Sequence, residues 1–157
     1  MHAKLLNYYD YEAYQPLGPG LGVSADIPSV VVVDDNVPSL ALYRLGARAL
    51  AVDLHTFRSP EDSLRYLSEH RADLVFLDVL MRGTDGLTLL KRVRALEHHR
   101  DTPVVMVTSK DYHQDRQIAR DLGAAEYLLK PLRAREIRAV IERHTGAAPR
   151  DGEGGPR

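Results

Sequence analysis

Val30-Val31-Val32-Val33-Asp34-Asp35-Asn36 is the stretch whose reading decides the fold. Four successive Val residues are apolar and β-branched throughout, which suits a strand buried on both faces of a parallel sheet. The two carboxylates that follow stand at the carboxyl end of that strand, where open α/β sheets place their ligands. The pattern recurs at Leu74-Val75-Phe76-Leu77-Asp78, at Val104-Val105-Met106-Val107-Thr108 and at Tyr127-Leu128-Leu129-Lys130. Four apolar runs thus end in Asp-Asp, Asp, Thr and Lys. Parallel neighbours would bring all of these groups to one edge.

Between the runs the spacing is helical. Asn36 is placed to cap a first helix with Pro38 in its first turn, and Leu42, Leu45 and Ala49 are expected to form its buried face. Val52–Phe57 alternates with period two and reads as a half-buried edge strand. Ser59-Pro60-Glu61-Asp62 is a helix-start box ahead of Leu64 and Leu67. Leu89, Val93 and Leu96 give a third helix its face. The fourth, over about 111–122, is mostly polar, with Ile118, Ala119 and Leu122 as its anchors and Gly123 as its stop, so it should be weakly held. Ile137, Val140 and Ile141 mark the fifth. Five βα units with right-handed crossovers make an α/β fold, a doubly wound parallel sheet with helices on both faces.

The chain divides into an extension over 1–28, a domain over 29–145 and a tail over 146–157, the last expected to be disordered. The extension holds Tyr8, Tyr9, Tyr11 and Tyr14, half of the eight Tyr, and then a Pro/Gly-rich run. It reads either as a loose tail or as an arm that binds a partner. The chain has 157 residues, enough for one domain of common size. A formal charge of −1 gives no reason to expect nucleic-acid binding. No run approaches the roughly 18 apolar residues of a membrane helix, and the N-terminus lacks a signal-peptide core, so no membrane insertion is expected. The absence of Cys excludes thiolate sites and fits a cytoplasmic location. The seven His form no ligand pattern; His98 and His99 adjoin and are expected at the surface.

The acids have a chemistry of their own. Three clustered carboxylates repel, and oxygen ligands without His or Cys select Mg²⁺ over zinc. A carboxylate in such a site can also attack phosphorus. Asp34-Asp35, Asp78, Thr108 and Lys130-Pro131 together resemble a bacterial response-regulator receiver domain of two-component systems. The spacings are 43 from Asp35 to Asp78, 30 on to Thr108 and 22 on to Lys130. The resemblance covers about residues 29–145 and implies a flavodoxin-like (βα)5 sheet with strand order 2-1-3-4-5.

The resemblance also implies roles. Asp78 would be the phosphoacceptor, Asp35 and Asp78 with the Leu80 backbone carbonyl would bind Mg²⁺, and Asp34 would help through water. Lys130 and Thr108 would meet phosphoryl oxygens, and the backbone N–H groups of Val79 and Ser109 would add donors. Lys130-Pro131 resembles a junction that is cis in the family. Thr108 and Tyr127 would form a switch, although Tyr127 also reads simply as an edge-strand aromatic. Two features depart from the usual pattern: Arg82 stands where many members have Pro, and Lys110 adds a cation at the mouth, placed to affect the lifetime of the phosphate.

The implied function is a phosphorelay regulator, not a dedicated enzyme, fed by a sensor histidine kinase or phosphotransfer protein. No helix-turn-helix or cyclase-like segment follows, so the chain is expected to act free-standing, as chemotaxis-type regulators do. Its output would be contact of helix 4, strand 5 and helix 5 with an unknown downstream protein; a homodimer is also allowed. The alternative is a receiver-fold interaction module that works without phosphorylation. A phosphohydrolase of the haloacid-dehalogenase type would carry Asp-x-Asp after the first strand, whereas here the acids are adjacent.

Overall fold

The computed structural model describes residues 27–151. The elements in order are β1 (Ser29–Val33), α1 (Val37–Ala47), β2 (Asp53–Phe57), α2 (Pro60–Glu69), β3 (Leu74–Asp78) and α3 (Gly86–Ala95). A 3₁₀ turn over Glu97–His99 leads to β4 (Val104–Thr108), α4 (His113–Asp121), β5 (Glu126–Leu129) and α5 (Ala134–Thr145). The five strands form one sheet in the order β2-β1-β3-β4-β5, every neighbouring pair parallel, as expected. β2 is an edge. The readings of 1–26 and 152–157, including the Tyr-rich arm, lie outside the described residues.

Strand alternation sorts the core into two layers, because successive side chains leave a strand on opposite faces. Val30, Val32, Leu74, Phe76, Val105 and Val107 pack under α1 and α5. Val31, Val33, Val75, Leu77, Val104 and Met106 pack under α2, α3 and α4. All of these are fully buried, which is why the runs are continuously apolar and show no alternation in sequence.

Helix starts follow the caps. The Asn36 side chain accepts from Ser39 N at 2.9 Å, and Ser59 Oγ accepts from Asp62 N at 3.3 Å. The face of α1 differs from expectation. Leu42 and Leu45 are 37% and 55% exposed, while Leu40, Tyr43, Gly46 and Ala47 are buried. Apolar residues encircle this helix, so periodicity selects no face. Packing selects it: the Tyr43 ring lies 5.0 Å from that of Phe76. At Gly46 an added Cβ would stand 2.7 Å from the Ala134 carbonyl on the neighbouring helix.

α4 is weakly held, as its composition implies. Among its residues only Ala119 is buried, and Ile118, expected as an anchor, is exposed. Its C-terminal end is fastened by Arg94, whose guanidinium donates to the carbonyls of Leu122 (3.1 Å) and Gly123 (3.0 Å). The same group donates to His99 and Thr102, both at 2.8 Å. Gly123, at φ +75°, closes the helix as expected.

Residues 147–150 run along the α1–β2 loop and do not fray. Ala51 N donates to Ala148 O and Arg150 N to Ala49 O, each at 2.8 Å, and Ala147 is buried. Backbone pairing holds this segment where composition alone reads as disordered.

His99 also departs from expectation, being fully buried. Its Nε2 meets the carbonyls of Leu67 and His70 at 3.0 and 2.9 Å, and its Nδ1 meets Thr102 Oγ1 at 2.9 Å. Carbonyls only accept, so Nε2 carries a proton. It caps the end of α2, meeting the Leu67 carbonyl, which His98 Nε2 also meets, and the carbonyl of the C-cap residue His70. Burial, with the neighbouring His98, holds its pKa below the ordinary value. The unfolded chain therefore takes up this proton first as the pH falls. Stability from His99 is complete above about pH 6.5 and is lost as the pH falls from there toward the folded pKa. Urea unfolding of His99→Gln from pH 7.5 to 5 should show a shallower decline than wild type. Parallel declines would remove His99 from this role.

Candidate functional site

Strand register builds the site. Val33 pairs with Leu77, Asp78 with Val107, and Thr108 with Leu129. Asp34, Asp78, Thr108 and Lys130 therefore leave the sheet within one residue step of each other. The Lys130–Pro131 bond is cis, as the resemblance implied.

Lys130 Nζ donates to Asp34 Oδ2 at 2.8 Å and to Asp78 Oδ2 at 3.0 Å. It also reaches Ser39 Oγ at 3.2 Å, a partner from the first turn of α1. The second oxygens of the acids are used as well. Asn36 N donates to Asp34 Oδ1 (2.8 Å), Leu80 N to Asp78 Oδ1 (3.1 Å) and Arg82 N to Asp35 Oδ2 (2.9 Å). Asp34 and Asp78 are buried, whereas Asp35 is half-buried and faces the loops.

Burial raises the Asp78 carboxyl to about 6, reinforced by the Asp34 charge and opposed by Lys130. Burial pulls Lys130 down, but its bonds to Asp34 and Asp78 outweigh this and its pKa ends raised. Asp34, Asp35 and Asp78 each offer a carboxylate oxygen within 4.8 Å of the others. All three ligand atoms are oxygens, and no His or Cys joins them, so the residues fit a hard divalent cation.

Each expected residue can now be placed. Thr108 is fully buried, and its hydroxyl donates to Lys110 O at 3.1 Å while accepting from Lys110 N at 3.2 Å. Val79 N, expected as a phosphate donor, instead donates to Val107 O at 2.8 Å, because the β3–β4 ladder runs one residue further. The backbone N–H on the Asp78 carboxylate is that of Leu80. Ser109, Lys130 and Pro131 line a pocket of about 260 Å³ with Ser39, Leu42 and Tyr43. Lys110 is exposed at the mouth. The Tyr127 ring packs against the α4-side core with its hydroxyl buried, so it does not start from solvent.

Sequence reasoning missed Ser39 and Gly86. Ser39 had a signal, since it lies three residues after the Asn36 cap and hence over the end of β1. Gly86 had none, because the need for it arises only where α3 starts against Asp78. A Cβ there would lie 2.0 Å from the Asp78 carbonyl, so α3 begins directly against the end of β3.

An oxygen-lined acidic edge bridged by a lysine, on a five-stranded parallel sheet with helices on both faces, defines the receiver class of signalling domain. The chain belongs to the response regulator receiver domain family, which matches it over residues 30–142. It is 36% identical over 113 residues to the cyclic di-GMP phosphodiesterase response regulator RpfG of Xanthomonas campestris, covering 71% of this chain and 30% of that protein. It thus spans about a third of that relative's length. Its fold is similar to a CheY-like receiver domain protein of Methanospirillum hungatei (TM-score 0.69, 18% identity, 74% of this chain and 92% of that one). It is also similar to the receiver domain of sensor histidine kinase PA1611 of Pseudomonas aeruginosa (TM-score 0.68, 22% identity, 76% and 98%). That structure has a magnesium ion coordinated in its active-site cleft. No helix among the described residues is long and apolar enough to cross a membrane.

Two outcomes follow for variants of the site. A carboxyl raised to about 6 lowers metal-free stability as the pH climbs from its unfolded value near 4 through 6, and the deficit is complete above that. Asp78→Asn should therefore be more stable than wild type by roughly 1–3 kcal/mol at pH 7.5 without Mg²⁺, and the gap should close by pH 4. Urea titrations at the two pH values check it. Gly86→Ala should cost about 1–3 kcal/mol by overpacking, read from its urea midpoint.

Proposed function

We propose that this protein is a phosphorelay response regulator whose Asp78 accepts a phosphoryl group from a sensor histidine kinase or phosphotransfer protein. The observation that carries this reading is the joint hold of Lys130 on Asp34 and Asp78 at the edge where the acceptor is raised to about 6. An Asp78 oxygen attacks phosphorus, the P–N bond of the donor phosphohistidine breaks, and its electron pair returns to the imidazole. Mg²⁺, held by Asp35, Asp78 and the Leu80 carbonyl with Asp34 through water, would neutralise the acids and the transferring oxygens. Lys130 pairs with one phosphoryl oxygen, while the hydroxyl of Thr108 and the N–H of Leu80 donate to others.

Transfer needs the Thr108 hydroxyl to leave the Lys110 carbonyl, which frees the loop ahead of α4. The output is a change in the α4–β5–α5 face, read by a downstream protein. Exposed Val37, Leu42 and Leu45 on α1, beside the pocket next to Lys130, offer the donor an apolar surface on the opposite side. On this reading the protein works in the cytoplasm as a phosphoacceptor and not as a dedicated enzyme.

Intact mass after incubation with acetyl phosphate and Mg²⁺ tests the proposal. One phosphoryl group should add to wild type, only with Mg²⁺, and none to Asp78→Asn. Equal uptake by the Asn variant would displace Asp78 from its role. No uptake by either protein would favour an interaction module that works without phosphorylation.

A further inference from the structure

The loop freed by Thr108 is tied to Tyr127 through one side chain. Lys110, held by the Thr108 hydroxyl, is followed by Asp111, whose Oδ1 accepts from Arg116 Nε at 3.2 Å and from Nη2 at 2.8 Å. The Arg116 guanidinium carbon lies 4.8 Å from the centre of the Tyr127 ring, within cation–π range. Arg116 sits in the first turn of α4, its backbone N–H donating to Tyr112 O at 3.1 Å. Beneath it, the Tyr127 hydroxyl is buried, with the Thr108 side chain as its hydrogen-bonding neighbour. Arg116 is the cation over the face of the inward ring.

We propose that Arg116, aimed by Asp111, is a positioning residue that latches the Tyr127 ring against the core and couples that ring to the β4–α4 loop. The inference rests on the proposed phosphorelay reading, since the loop moves when Thr108 turns to the phosphoryl group. Burial and the charges of Asp115 and Asp111 raise the Tyr127 phenol against the pull of Arg116 and of a hydrogen bond with the Thr108 side chain, so the ring faces both signs of charge. The pairing is particular to these side chains. Three links, Thr108–Lys110, Asp111–Arg116 and Arg116–Tyr127, run in series from the phosphorylation site to the surface of α4.

The experiment is ¹⁹F NMR of the full chain labelled with 3-fluorotyrosine, the Tyr127 resonance being assigned from Tyr127→Phe. Ring exposure is read from broadening by a soluble gadolinium chelate. Arg116→Met keeps length and apolar contact but removes the charge; its ring should broaden about two- to fivefold more than in wild type, as expected of one cation–π contact. Arg116→Lys should restore protection, and Asp111→Asn should fall between. A normal urea midpoint and normal phosphoryl uptake from acetyl phosphate establish that each variant is folded and competent. Unchanged broadening in Arg116→Met, or failure of Lys to rescue, would overturn the latch.

Beryllofluoride with Mg²⁺ separates this inference from the reading beneath it. In wild type it should change the Tyr127 signal, and in Arg116→Met that change should be largely lost. If the wild-type ring ignores beryllofluoride while Arg116→Met still exposes it, the latch stands and the phosphorylation switch fails. If beryllofluoride moves the ring equally in both proteins, the switch stands and the latch is refuted.

Discussion

One ammonium group holds this domain's working edge together. The Lys130 nitrogen donates to Asp34 and Asp78 at once, and without it two buried carboxylates would face each other across neighbouring strands. Like charges about 4 Å apart repel by roughly 4 kcal/mol at an effective dielectric near 20. The parallel sheet leaves no other arrangement, because its register fixes where each strand ends. Backbone N–H groups from Asn36, Leu80 and Arg82 take the remaining carboxylate oxygens, so the loops after β1 and β3 are shaped by the same acids. The arrangement is satisfied but tense: the acids are bonded, yet Asp78 remains harder to ionise than an ordinary carboxyl. A site in that condition favours added positive charge over the state it is in.

Much of this was legible in the residues. Unbroken apolar runs ending in polar caps exposed the strands, since only a strand covered on both faces is apolar throughout. Caps such as Asn36 and Ser59 act within four residues and were equally plain. What was hidden depends on contacts distant in the chain. The buried side of α1 is set by Phe76 and by the approach of α5 at Gly46, and its sequence is apolar all round. His99 looks like one of two surface histidines until the end of α2, some thirty positions away, supplies the carbonyls that bury it. Val79 has a backbone donor like any other, and only the length of the β3–β4 ladder shows it already engaged. Tyr127 was recognisable as a residue of interest, but its packed ring and the cation above it come from α4, an element whose own composition says little.

The two faces of the sheet divide the work. On the α1–α5 side the core is deep and the exposed apolar residues of α1 lie beside the pocket at Lys130. On the other side α4 contributes a single buried alanine and is held mostly by polar contacts. One loosely held helix thus shares its side of the sheet with α2 and α3, which are firmly packed. Among the helices α4 is therefore the low-stability end from which conformational change is drawn.

The fastening of Arg94 gives that looseness a direction. Four carbonyls hold its guanidinium at the C-terminal end of α4, while the N-terminal end rests on side chains of a surface loop. A helix pinned at one end behaves as a lever arm, with displacement growing in proportion to distance from the pivot. The nine residues of α4 span about 13 Å, so a tilt of about 10° carries the far end roughly 2 Å and leaves the pinned end nearly still. Any surface that senses α4 through Tyr112 or His113 therefore receives a larger signal than one reading Asp121, although both sit on the same short helix.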